Sequence, residues 1–333
     1  MIGTRTPFRI SFAGGGSDLR SFYSKCPGCV LSTTIDKYMY ILIHPYFDDR
    51  IQVKYSRTEL VNSIAHIQHP IVRVALGQFG TEGVDINSIA DIPAGTGLGS
   101  SSSFTVGLLH ALYAYTGQFA SKELLARKAC EIEIDILKDP IGKQDMYAAA
   151  YGGLNLITFY PDESVQVEPV IMPPSQRSRL AQNLLAFYLG GARSAHDILA
   201  DQQSAVLRDR KKFEGLMRMV ELARQLRESL AKGCLDDMGP ILHENWLLKK
   251  QLSSQISTEW IDACYDRAMQ NGATGGKLLG AGGCGFLLLY CDVQHQDRLR
   301  AALSDLREIK FSFDNFGTRV IYYEDGQGRA TLI

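Results

Sequence analysis

Apolar residues recur along this chain with two spacings, one close to that of a strand and one close to that of a helix, and their succession sets the predicted elements. Residues 7–13 alternate loosely and end in Gly14-Gly15-Gly16, a strand running into a glycine turn. Residues 30–45 are β-branched and aromatic and predict one or two strands. A helix over 71–79 and a strand over 84–92 follow. Behind four serines, Ser100 to Ser103, the residues Phe104, Leu108, Leu109 and Leu112 fall at helical spacing. Two more helices are predicted over 121–137 and 141–151, then Gly152-Gly153 and a strand over 154–160. Residues 169–174, with Pro173-Pro174, are the expected boundary between a domain at 1–172 and one at 173–333.

The second half restarts with a strand over 184–189 and Gly190-Gly191. Residues 194–270 read as nearly all helical, broken near Gly233 and at 251–257. Glycines crowd 272–285, which reads as a glycine loop running into a strand at 286–291. A helix over 296–306 and strands over 309–313 and 318–323 close the chain. Helices and strands mix without strict alternation, so the expected class is α+β and not doubly wound α/β.

Composition narrows the function classes. Lys plus Arg number 35 against 36 for Asp plus Glu, so the chain lacks a polyanion-binding footprint and nucleic acid is not an expected partner. No apolar run approaches the ~20 residues of a membrane span, and the N-terminus lacks a signal-peptide core, so a cytoplasmic protein with no membrane partner is expected. Seven scattered cysteines fit a reduced compartment.

Candidate chemistry concentrates at residues 93–103. Gly95, Gly97 and Gly99, separated by Thr96 and Leu98, let the backbone approach an anion and lead into a helix N-terminus, where unpaired N–H groups favour negative charge. Ser100, Ser101 and Ser102 add hydroxyls for phosphate or Mg²⁺. The bland alternative is a surface loop with a serine cap. Gly280, Gly282 and Gly285 match a dinucleotide fingerprint, but the element order is wrong for one, and a glycine loop that touches phosphate or braces another loop is expected. Cys26 and Cys29 form a lone C-x-x-C, with His66 and His69 too distant for a zinc finger, and read as a turn carrying two half-buried thiols. Glu131, Glu133, Asp135, Asp139 and Asp145 cluster around Pro140; most suit a solvated face, while an inward carboxylate suits Mg²⁺. Asp145 serves equally as a helix-dipole partner. Arg193, after Gly190-Gly191, marks a second candidate anion site, against an ordinary turn.

Three of these segments together resemble one family. Pro7 to Asp18, Pro93 to Ser103 and Lys277 to Phe286 are similar, in order and spacing, to the three motifs of the GHMP small-molecule kinases. The resemblance covers essentially the whole chain. It implies a two-domain fold, an N-terminal ribosomal protein S5 domain 2-like part and a C-terminal ferredoxin-like part, with the active site between them. The Ala-Gly-Gly-Gly-Ser-Asp form at 13–18, Gly142 to Asp145 and Gly191 to Asp197 are most similar to the branch acting on heptose 7-phosphates. That branch phosphorylates the anomeric C1 hydroxyl of D-glycero-D-manno-heptose 7-phosphate with ATP, for nucleotide-heptose and surface polysaccharide synthesis. A kinase of an unphosphorylated sugar such as L-fucose, and a non-catalytic sensor of the same fold, are the alternatives.

By this resemblance, residues Gly95 to Ser102 would wrap the ATP phosphates, and Ser101 with Glu133 would hold Mg²⁺, Glu131 being the rival ligand. Asp145 and Arg9 would be catalytic, facing the acceptor hydroxyl and the transferring phosphoryl group. Gly14, Gly15, Gly16, Ser17, Asp18 and Gly282 would bind the phosphosugar, and Arg193 its phosphate. The oligomeric state stays open, a homodimer included.

Overall fold

The computed structural model describes residues 1–191, 195–324 and 330–331. β1 (Ile2–Ala13) pairs antiparallel with the long β2 (Gly28–Pro45). The short strands β3 (Ile51–Lys54) and β4 (Thr58–Val61), the latter at the sheet's edge, precede α1 (Pro70–Phe79) and β5 (Val84–Ala90). The alternation of β3 and β4 lasts only four residues each, too few for the pattern to single them out.

α2 (Ser100–Tyr115) is buried along most of its length and packs on β1 and β2. Gly107 permits this closeness: a Cβ there would lie 2.8 Å from the Thr6 hydroxyl. The predicted helix over 121–137 is α3 (Lys122–Cys130) followed by a wide π turn, Glu131–Ile136, in which Leu137 N–H reaches the Ile132 carbonyl. α4 (Gln144–Tyr151) starts three residues later than the pattern suggests. β6 (Leu154–Phe159) pairs with the first half of β2, and β7 (Val165–Pro169) with β6.

After α5 (Pro174–Gln182) comes β8 (Leu184–Tyr188). The helical stretch consists of α6 (Ala195–Arg208), α7 (Arg210–Lys232), α8 (Met238–Lys250) and α9 (Glu259–Gln270). α7 buries Leu216, Met219, Val220, Ala223, Leu226 and Leu230, a stripe at helical spacing. That stripe meets β1, β2 and α8, while α8 meets β9 (Ala273–Leu278), so two helices join the two sheets.

β9 corrects the reading of 272–285 as a loop throughout. Its glycines serve close approach: a Cβ at Gly275 would lie 1.8 Å from the Gly239 carbonyl of α8. β10 (Phe286–Cys291) pairs with β9 and β8, and α10 (Gln296–Ala302) follows. The strand predicted over 309–313 divides in two. β11 (Arg307–Ile309) stays on the second sheet, order β11-β8-β10-β9, while β12 (Phe313–Asp314) crosses to β2. β13 (Arg319–Glu324) and β14 (Ala330–Thr331) then extend the first sheet beyond β1. The end of the chain therefore returns to the sheet where it began.

Candidate active site

A cleft of about 320 Å³ opens where the two sheets' loops meet, and it collects most of the predicted site residues. Gly95, Gly97, Gly99 and Ser100 to Ser102 line it, at the start of α2, where the first N–H groups of a helix lack intrahelical partners. Gly97 has φ +83° and lies flat against the third glycine motif: a Cβ on it would sit 2.6 Å from the Leu279 carbonyl. Gly280 abuts Gly97 in turn, its Cβ position 2.3 Å from the Gly97 Cα. The third motif thus braces the first glycine loop, as its composition suggested. Thr96 and Leu98 do not line the cleft; Thr96 Oγ1 donates to the Pro93 carbonyl and Leu98 is buried.

Arg9 and Asp145 face each other across the floor. Arg9 Nε donates to Asp145 Oδ1 at 2.7 Å and its second nitrogen to Oδ2 at 2.8 Å, a bidentate pair. The remaining terminal nitrogen of Arg9 donates to the Gly97 carbonyl at 2.6 Å. Asp145 stands in the first turn of α4, where an acid suits the helix dipole, and it also lines the cleft. Gly99 leaves room for it; a Cβ there would lie 3.2 Å from Asp145 Oδ2.

Glu133 is 1% exposed and accepts a 3.0 Å hydrogen bond from Ser101 Oγ. Glu131, two residues away and so on the opposite side of the helical turn, pairs with Lys128 at the surface. Burial pushes Glu133 up to about 7, helped by the nearby charges of Asp139 and Asp145. Its Oε1 has no hydrogen-bond partner. A buried, under-partnered carboxylate beside a hydroxyl at a phosphate-type loop fits a hard divalent cation, and the chemistry of this donor pair suits Mg²⁺.

On the opposite wall Gly15, Gly16, Asp18 and Gly282 line the cleft, whereas Gly14 and Ser17 do not. The Gly14 N–H is held by Asn245 Oδ1, and Ser17 Oγ donates to the carbonyls of Gly14 and Cys29, so these two build the turn. Asp18 accepts from the N–H groups of Gly16 and Gln144; burial and the charge of Asp145 raise its pKa. Arg193 lies outside the described residues. Cys29 is buried, its thiol donating to the Val220 carbonyl, and burial raises its pKa to about 11, which disfavours thiolate chemistry there.

The structure adds residues that the pattern did not bring forward. Ser11, Gln144 and Gln202 line the cleft, and Ser11 Oγ, Gln144 Oε1 and Gln202 Nε2 are buried polar atoms without partners among the described residues, as is Asn245 Nδ2 beside the glycine turn. Such a set of donors and acceptors suits a polyol. Lys249 and Lys277 also line the cleft, 5% and 1% exposed. Lys249 shares the buried stripe of α8 with Leu242, Asn245 and Trp246, a helical spacing that exposes it as an inward lysine.

The chain matches the GHMP kinases N terminal domain over residues 62–153 and the GHMP kinases C terminal domain over residues 226–310. It is 29% identical over 315 residues to the D-glycero-alpha-D-manno-heptose 7-phosphate kinase of Campylobacter jejuni, covering 91% of this chain and 93% of that one. It is also 29% identical over 336 residues to the bifunctional fucokinase/GDP-fucose pyrophosphorylase of Arabidopsis thaliana, covering 93% of this chain and 32% of that one. Among solved structures, a D-glycero-D-manno-heptose 1-phosphate kinase from Bacteroides thetaiotaomicron superposes with a TM-score of 0.80, at 24% identity, over 98% of this chain and 100% of that one, a likeness of fold.

Proposed function

Because the chain belongs to the GHMP kinases and is an ATP-dependent sugar kinase of their two-domain α+β fold, we propose that its acceptor is D-glycero-D-manno-heptose 7-phosphate. The product is then the 1,7-bisphosphate, formed at the anomeric C1 hydroxyl. The observation that carries this reading is the placing of Asp145, held by Arg9, in one cleft with the glycine loop, Ser101 and Glu133. The similarity to the Campylobacter heptose 7-phosphate kinase over nearly the full length of both chains supports the choice of sugar. The Arabidopsis relative supports a second reading, an unphosphorylated fucose-like acceptor.

In the proposed mechanism, the loop from Gly95 to Ser102 presents its N–H groups and hydroxyls to the ATP phosphates. Ser101 and Glu133 would hold Mg²⁺, which would supply positive charge to offset that of the phosphates. Gly15, Gly16, Asp18, Gln144 and Gln202 orient the sugar by its hydroxyls. The C1 oxygen attacks the γ-phosphorus, the bond from that phosphorus to the bridging oxygen breaks, and ADP departs. A carboxylate is too weak a base to remove a sugar hydroxyl proton beforehand. Asp145 therefore aligns the hydroxyl and accepts its proton late, as the new bond forms. Arg9 fixes the Asp145 carboxylate in one plane. We assign the nucleotide side of the cleft to 1–172, with β12 to β14 returning to it, and the remaining wall to the second sheet and its helices.

The test is the position of the new phosphate. Product formed from ¹³C-labelled heptose 7-phosphate should show carbon–phosphorus coupling at C1. New coupling centred on another carbon, beyond that of the 7-phosphate the substrate already carries, would refute the assignment of the acceptor oxygen.

A further inference from the structure

Arg9 is committed to a carboxylate, so its charge is already matched within the protein. Two further cations line the same cleft without such a match. Lys249, in the last turn of α8, donates to the Gly280 carbonyl and makes no other hydrogen bond or ion pair among the described residues. Lys277, near the end of β9, makes no hydrogen bond and no ion pair among the described residues, although it is one of the largest fully buried side chains. The charged groups that act on the two lysines are each other, Arg9, Asp18 and Asp145. Neither aspartate is free to serve them: Asp145 is taken by Arg9, and Asp18 by the N–H groups of Gly16 and Gln144.

A fully buried ammonium with no counter-charge is a standing cost to the fold. Burial, and then the neighbouring cations, hold Lys277 well below the ordinary lysine range, while burial and then Arg9 bring Lys249 to about 8. A fold that kept these groups for packing alone would do better with methionine at both places. We propose that Lys249 and Lys277 together form a seat for a phosphoryl dianion on the Asp18 side of the Arg9–Asp145 pair. The inference deepens the kinase reading and rests on it. The dianion has two sources: the phosphate that the acceptor already carries, or the γ-phosphoryl group during transfer. In the seat the two lysines are the dianion's counter-ions.

The experiment compares the wild-type protein with Lys277→Met, Lys277→Arg and Lys249→Met, using heptose 7-phosphate and the unphosphorylated heptose as acceptors. Lys277→Met should melt at or above the wild-type temperature, yet lose roughly 30-fold or more in kcat/KM for heptose 7-phosphate, the scale of a buried charge removed from its partner. Lys277→Arg should recover part of that loss. If the seat holds the acceptor's own phosphate, the loss is in KM and is absent with the unphosphorylated sugar. If it holds the γ-phosphoryl group, the loss is in kcat with both acceptors. Wild-type kcat and KM in a folded Lys277→Met protein, for both acceptors, would overturn the seat and leave the kinase reading intact. Calorimetric titration with heptose 7-phosphate in two buffers, without ATP, separates the two readings. Binding lost in Lys277→Met from a wild-type protein that releases no ADP would keep the seat and refute the kinase reading; no change in binding or rate refutes the seat.

Discussion

At the scale of single residues, the Arg9–Asp145 pair decides how the site behaves. Asp145→Asn keeps the side chain's shape and one acceptor oxygen for Arg9, so the fold should survive. Activity should fall by ~10²-fold or more in kcat with little change in the KM for ATP, as expected when a proton acceptor is lost. Steady-state kinetics with varied ATP checks this; wild-type turnover would remove Asp145 from the chemistry. Asp145→Ala should in addition destabilise by about 3–5 kcal/mol, because it strands the buried guanidinium. Lys249 gives a pH signature with a definite sign. Its folded pKa of about 8 lies below the ordinary lysine value, so the unfolded chain binds the extra proton between about pH 8 and 10.5. The wild-type protein should therefore gain stability relative to Lys249→Met as pH rises through that window. Melting curves at pH 7.5 and pH 10.5 test it; a difference that widens at high pH would contradict the burial argument.

At the scale of elements, the interlocked glycine loops are the most sensitive part. Gly280→Ala puts a Cβ onto the Gly97 Cα at a backbone angle of φ +72°. The two loops must then separate, at a cost of roughly 1–3 kcal/mol for the strained residue. The expected result is a raised KM for ATP together with a lower melting temperature; a change in neither would mean that the third motif does not brace the second. The motifs were legible in the sequence because glycine at Gly95, Gly97, Gly99 and Gly280 answers a local backbone demand. Asp145, Glu133 and Asp18 were reachable only through the resemblance of the motifs, since spacing alone left open which acid of the cluster points inward. Lys277 was not, since its burial depends on α8 pressing Gly239 against Gly275, a contact between distant segments. Likewise Ser17 looked like a ligand residue beside Asp18, but the carbonyls of Gly14 and Cys29 claim its hydroxyl. The π turn that carries Glu133 reads in the sequence as part of one helix over 121–137, although Cys130, Ile132, Ile134 and Ile136 alternate there with acids instead of keeping helical spacing.

At the scale of the molecule, the cleft exists because β12 to β14 tie the chain's end back to the first sheet while α7 and α8 bridge to the second. The walls are therefore fixed from both ends of the sequence. The cleft gathers the serine-rich helix start, the buried Glu133, Asp18, Lys249 and Lys277, the set on which the proposed binding of ATP and a phosphosugar rests. The most direct measurement of this account is ADP release by the wild-type protein with Mg²⁺ and ATP, screened across free and phosphorylated hexoses and heptoses. The account predicts the highest kcat/KM for D-glycero-D-manno-heptose 7-phosphate, above its unphosphorylated form. ADP release with no sugar in the set, or a clear preference for an unphosphorylated sugar, would contradict it.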